Sequence, residues 1–204
     1  MVLAFDYLDS MMWSIVASGI ILGVAALRLR YKASTDSFDE EQKNLARGLG
    51  VALGVNGFYL FITGLSIGFL WSFTASGGLY NVLFGGVAVL GGLLLLSVAS
   101  AMFLGHGLQA SSYFALVLGL YLIVDAYSIL YYSTGTVKIT RDPNLSAMLY
   151  LAPAAALIFS VPATHIDNKW VRRLFAVFAF LFAIGWLYFA LNVTFGHLAP
   201  PALT

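Results

Sequence analysis

A single carboxylate, Asp125, interrupts an apolar run from about Ser111 to Tyr132. Tyr121, Asp125, Ser128 and Tyr132 are spaced four, three and four apart, so they share one face of a helix. About 22 residues at 1.5 Å each span about 33 Å, the thickness of a bilayer's hydrocarbon core. An ionisable group at that depth faces a helix bundle or a wet cavity rather than lipid. No Lys or Arg is expected at its level. The acid is therefore either protonated, or ionised against water and hydroxyl or amide donors. A neutral acid could donate a hydrogen bond to a passing solute, and a titrating one could gate it. The structural alternative is a protonated acid that fixes two helices together.

A second polar stripe lies on the run Gly48 to Leu70, where Ala52, Asn56, Tyr59, Thr63 and Ser66 share a side. Gly50, Gly54, Gly57, Gly64 and Gly68 fall roughly opposite, with two small-x-x-x-small pairs that let helix backbones approach. Lipid would not satisfy the polar stripe. A helix buried on one side and polar on the other suits a cavity wall, with Asn56 or Tyr59 supplying partners to Asp125. The plainer alternative is that Asn56 bonds across to a neighbouring helix, worth only ~0.6 kcal/mol on average.

No catalytic constellation accompanies these stripes, so an enzyme is not expected. His106, His165 and His197 all fall at expected helix ends, too shallow to ligate a haem, and no HExxH or His-carboxylate cluster occurs. The chain has no cysteine, which excludes disulfides, thiolate metal sites and cysteine nucleophiles. The glycines lack the strand and Gly-Lys-Ser/Thr of a phosphate loop. No cofactor and no metal are implied. A net charge of +1 without a basic tract gives no reason to expect nucleic-acid binding.

The elements that would position the two stripes are helices in a bilayer. Hydrophobic residues make up 61% of the 204-residue chain and charged ones 9%, with mean hydropathy +0.91, outside the range of soluble domains. Six runs are long enough to span: about 10–29, 48–70, 80–104, 111–132, 145–164 and 171–195. They predict an all-α fold, a single polytopic transmembrane domain whose six helices form a compact bundle. The acidic start, Asp6 to Asp9, lacks the basic flank and cleavage site of a secretory signal, so the first run is expected to be retained. A polar connector, 31–46, carries Asp36, Asp39, Glu40 and Glu41 beside Lys43, and its acidic part reads as the first turn of a short surface helix.

The third run repeats the small-residue device at Gly85, Ala88, Gly92 and Ala99, which predicts close packing against the second. Asp142-Pro143-Asn144 is a stop-and-start signal before the fifth, Ala-rich run, whose Pro153 and Pro162 free carbonyls that neighbours or water must satisfy. Trp170, Trp186 and Tyr188 suit interfacial anchoring and lipid contact. Eight Lys and Arg flank the connectors after the first, third and fifth runs, against two after the second and fourth. That asymmetry puts the first set in the cytoplasm and both termini outside.

Six spans in about 200 residues, short hairpins, and a third helix opening Leu79-Tyr80-Asn81-Val-Leu-Phe84-Gly85 resemble an uncharacterised prokaryotic integral-membrane family, a domain of unknown function. More distantly they resemble the proton-gated urea channel and short-chain amide transporter family. That resemblance implies a ring of protomers in a prokaryotic cell membrane, each with its own pore. The channel family carries constriction tryptophans on its fifth helix and carboxylates on its fifth and sixth. The fifth run here has neither, and the sixth has Trp186 but no acid, so no functional residue carries over. The expectation is a homo-oligomeric channel or facilitator for a small neutral polar solute, lined by Asn56, Tyr59, Thr63, Tyr121, Asp125, Ser128 and Tyr132. The alternative is a non-catalytic subunit of a larger membrane assembly, docked to its partners through glycine faces.

Overall fold

A computed structural model describes residues 7–29, 38–70, 81–133 and 142–198. They form six helices: α1 Tyr7–Arg28, α2 Glu40–Leu70, α3 Val87–Leu104, α4 Gln109–Tyr132, α5 Pro143–His165 and α6 Lys169–Leu198. A π-helical turn, Asn81–Gly86, leads straight into α3. Each of the six is long and apolar enough to cross a membrane. Residues 30–37, the Ser76-Gly77-Gly78 breaker, Leu79 and Tyr80 of the third-helix motif, and Lys138 and Arg141 lie outside the described residues.

The ends of the helices follow local chemistry. Asp142 caps α5 by accepting the Leu145 N–H at 3.1 Å, with Pro143 in the first turn, where its missing N–H costs nothing. Gly105 ends α3 in the left-handed region, at φ 78°. Among the described residues no separate surface helix precedes the second span. Asp39 accepts the Gln42 N–H at 2.8 Å, Glu40 pairs with Lys43 at 2.9 Å, and the acidic run becomes the first turns of one continuous 31-residue α2. A cap and an i,i+3 ion pair suffice to carry the helix through these polar residues.

The helices form a ring in chain order, each packing on its chain neighbours and α6 closing on α1. All six neighbouring pairs run antiparallel. Ser10 meets Tyr59, Gly57 meets Gly92, Ser97 meets Ser111, Tyr113 meets His165, Leu149 meets Trp186, and Asp9 meets Thr194. The closest pairs are α2 with α3, α4 with α5 and α6 with α1, and the seam between α3 and α4 is the sparsest.

Small residues set that pairing. A Cβ on Gly57 would lie 2.9 Å from the Gly92 carbonyl oxygen, and one on Gly64 would lie 2.7 Å from the Val89 nitrogen. Gly50 and Gly85 also face the α2–α3 contact, at 3.1–3.2 Å. Gly54 has only an ordinary contact with Ala99 at 3.5 Å, and Gly68 looks into open space. The α6–α1 pair uses the same device: Gly19 and Gly23 receive Ala183 and Phe180, and Ala176, Ala179, Ala183 and Ala190 of α6 are buried.

Outward, every helix presents large apolar side chains, among them Ile20, Phe58, Phe103, Val117, Met148 and Ile184. An apolar surface around the whole ring suits hydrocarbon as its solvent rather than water.

Candidate functional site

A cavity of about 200 Å³ runs along the ring axis. On α1 its lining extends from Leu8 to Ala26, about 27 Å at 1.5 Å per residue. α3, α4, α5 and α6 contribute along its length, but α2 supplies only Leu60. One end, where α1 begins and α6 finishes, is bounded by Met12, Leu83, Leu122, Tyr150 and Trp186. At the other end stand Ser112, Thr164 and Arg172, and Arg172 pairs with Asp167 at 2.8 Å.

The wall is apolar even where the residue types are not. Ser18 gives its proton to the Ser14 carbonyl, Ser112 to that of Gln109, Ser160 to that of Leu157, and Thr164 to that of Ser160. Ser111 bonds to Ser97 at 2.8 Å. Two large donors are spent on backbone carbonyls at helix irregularities. Pro153 has no N–H for the Leu149 carbonyl, and the Trp186 indole supplies one at 3.0 Å. In the π-helical turn, Leu83 offers its carbonyl to the Tyr150 hydroxyl, also at 3.0 Å. Trp186 is therefore a buried cavity residue and not a lipid-facing anchor, whereas Trp170 and Tyr188 are exposed. The need for a donor near Pro153 outweighed the usual interfacial preference of the indole.

Asp125 is 7% exposed. It lies on the face of α4 formed by Ala115, Leu118 and Leu122, one turn beyond the last of these to line the cavity. Its Oδ2 has no hydrogen-bond partner among the described residues. Tyr121 and Tyr150 lie within electrostatic reach of it. The Tyr150 proton is already given to Leu83, and the Tyr121 hydroxyl stands near Gly86 of the π-helical turn. Asn81, 2% exposed, begins that turn. Single π turns of this kind recur at functional sites.

The two polar stripes do not meet. Tyr59 bonds to Ser10 and Asn56 accepts from Ser14 at 3.1 Å, both across the α1–α2 seam. Thr63 turns its hydroxyl back onto the Tyr59 carbonyl at 2.8 Å. None of the three lines the axial cavity, because the glycine face of α2 takes α3 and the stripe opposite is left for α1. On α4, Tyr121 and Ser128 are half-buried, Asp125 is buried and Tyr132 is exposed, so the shared face opens from Asp125 toward the helix end. The Asp125 end of the axial cavity was not evident beforehand, since its apolar lining reads in sequence like any packed helix face.

Of the remaining candidates, His165 closes α5 with Nδ1 toward the Val161 carbonyl and Nε2 toward the Tyr113 hydroxyl. Among the described residues no group of three His, Asp or Glu could hold a metal ion.

The described residues define an all-α protein of six helices ringed around an apolar cavity, with Asp125 buried one turn beyond its lining on α4. The chain belongs to the family described as a protein of unknown function, DUF981, whose model matches residues 1–200. No curated protein and no solved structure matches it.

Proposed function

We propose that the chain is an integral membrane facilitator, and that the cavity on the ring axis, rather than the stripe on α2, is the path of a small uncharged solute. One observation carries this reading: an apolar cavity of about 200 Å³ inside a single chain, whose lining spans about 27 Å of α1 and stops on α4 one turn short of a buried acid whose Oδ2 is unpartnered among the described residues. An ion would shed its hydration shell against a wall that offers it no ligand, which costs far more than the passage of a neutral molecule. The uneven distribution of Lys and Arg supports a cytoplasmic location for the Arg172 end and an external one for the Asp125 end. No comparison supports a likeness to urea and amide channels, so it supplies no solute, and propionamide below serves only as a small uncharged probe.

The test is the uptake of propionamide into proteoliposomes, followed by stopped-flow light scattering. Faster uptake than in protein-free vesicles, altered by Asp125→Asn, is the expected result. Equal rates with and without protein would remove the reading.

A second reading, a non-catalytic subunit of a larger assembly, is favoured by one feature. Tyr113, Val117, Leu120, Val124, Tyr127 and Tyr131 form an exposed ridge along α4 with the 4-3-4-3-4 spacing of a helix seam. Stoichiometric partners retained through purification in mild detergent would support it, and a homogeneous species would favour the facilitator.

A further inference from the structure

We infer that the Arg172 end of the axial cavity is a binding site for a medium-chain fatty acid anion, whose alkyl chain lies along the apolar wall and whose carboxylate meets the Arg172 guanidinium. This rests on the cavity and its charged lining residue, and not on passage through it.

Wall and shape select the chain. The hydroxyl and indole groups of the lining direct their protons at backbone carbonyls or at one another, so the wall favours an apolar body. An apolar cavity of ~150 Å³ admits benzene, about six carbons, so one of about 200 Å³ admits about eight. Its lining extends about 27 Å along α1, which draws that volume out and suits an unbranched chain better than a ring.

Charge selects the head. Among the described residues Arg172 is the one charged side chain in the lining, and a guanidinium stays charged in a protein, so the sign of its partner is fixed. Of its N–H groups only one, on Nη1, has a partner among the described residues, the Asp167 carboxylate at 2.8 Å. Asp167 is 58% exposed and Arg172 17%, so the arginine reaches from the cavity wall to the solvent side, where Asp167 takes it. The usual excess of cations on a cytoplasmic face accounts for Lys169 and Arg173, which stand over the exposed Trp170 ring, but not for a cation on the cavity wall. The field of α6 opposes that cation too, since the helix opens with Lys169, Arg172 and Arg173 and has no acid in its first turn. A carboxylate at the end of the chain relieves both and fits the guanidinium fork. An alcohol or amide head makes only the weaker bond of a neutral group, and an amine head is repelled.

The experiment is equilibrium binding of radiolabelled octanoate to the full chain in phosphatidylcholine nanodiscs, with empty nanodiscs as the baseline. Saturable binding of one octanoate per chain is expected. Butyrate, four methylenes shorter, should compete on the order of 100-fold less well, and 1-octanol, of equal length but uncharged, on the order of 10-fold less well. Arg172→Gln should weaken octanoate on the order of 10-fold or more and leave 1-octanol unchanged, whereas Arg172→Lys should retain part of the difference. Arg173→Gln, outside the lining, should leave octanoate binding unchanged. Circular dichroism and elution volume establish that each variant is folded. Absence of saturable binding, or equal binding by wild type and a folded Arg172→Gln, would overturn the inference. An equal loss in Arg173→Gln would do so as well, by marking attraction to the basic surface only. Should Arg172→Gln fail to fold, competition on the wild type decides instead: displacement by butyrate or 1-octanol as effective as by unlabelled octanoate sinks the proposal. Binding without propionamide flux would retire the facilitator and leave the fatty acid site standing. Flux without Arg172-dependent octanoate binding would do the reverse.

Discussion

Two adjacent glycines on α3 should respond oppositely to the same added methyl. A Cβ on Gly92 would lie 2.5 Å from the Phe61 nitrogen, 2.6 Å from the Gly57 oxygen and 2.9 Å from the Phe61 Cα, all backbone atoms of α2. Ordinary carbon contacts need about 3.5–4.0 Å, so the two helices must part by roughly 1 Å. Backbone cannot rotate out of the way as a side chain can. Overpacking of this kind costs about 1–3 kcal/mol, against which the better helix propensity of alanine returns at most about 1 kcal/mol. The net expectation for Gly92→Ala is a loss of roughly 1–2 kcal/mol. At Gly91 nothing lies within 4 Å of the new atom, so propensity acts alone and Gly91→Ala should gain about 0.5–1 kcal/mol. Thermal unfolding followed by intrinsic fluorescence, in one detergent and at one scan rate, should place the two midpoints roughly 3–12 °C apart. Midpoints that coincide, or a Gly92→Ala variant more stable than Gly91→Ala, would refute the backbone-to-backbone packing of α2 on α3.

Trp186→Phe should destabilise the protein by about 1–3 kcal/mol, because it strips the only donor described for the Leu149 carbonyl. In a Pro153→Ala background the restored N–H takes that carbonyl and the same change should cost less than half as much. Thermal midpoints of the four proteins give the coupling, and additive effects would contradict the assignment. Asn56→Ala should cost only ~0.6 kcal/mol, the average for a hydrogen bond between membrane helices, and leave propionamide uptake unchanged. Uptake falling with Asn56→Ala would return the α2 stripe to the pathway.

Helix faces were legible in the sequence, but their neighbours were not. The spacing of Gly50, Gly57 and Gly64 marks a close-packing face, and Gly85 and Gly92 mark its counterpart on α3. Periodicity gives the direction of a side chain around its own axis and is silent on which helix stands there. Hence Asn56 and Tyr59, read as neighbours of Asp125, bond to Ser14 and Ser10 on α1. The burial of Asp125 followed from its place in an apolar run, and the open carbonyl from Pro153. That Trp186 would close that carbonyl depended on α5 and α6 being adjacent. The alanine stripe 176, 179, 183 and 190 on α6 carries the signal for its seam with α1, at spacings of three, four and seven, but was masked by the aromatic residues around it. The cavity left no trace at all. A void is the absence of contact between faces that are individually well formed, and Leu118 or Ala115 would be apolar in either case.

Gly91 also lines the axial cavity and a Cβ there meets nothing within 4 Å, so a leucine is expected to extend into the path from an unstrained start. Gly91→Leu thus separates blocking from unfolding, and its propionamide uptake is the most direct measure of the axial path. The account predicts a thermal midpoint at or above that of the wild type, with uptake reduced to the rate of protein-free vesicles. A folded Gly91→Leu variant that conducts as fast as the wild type would contradict it.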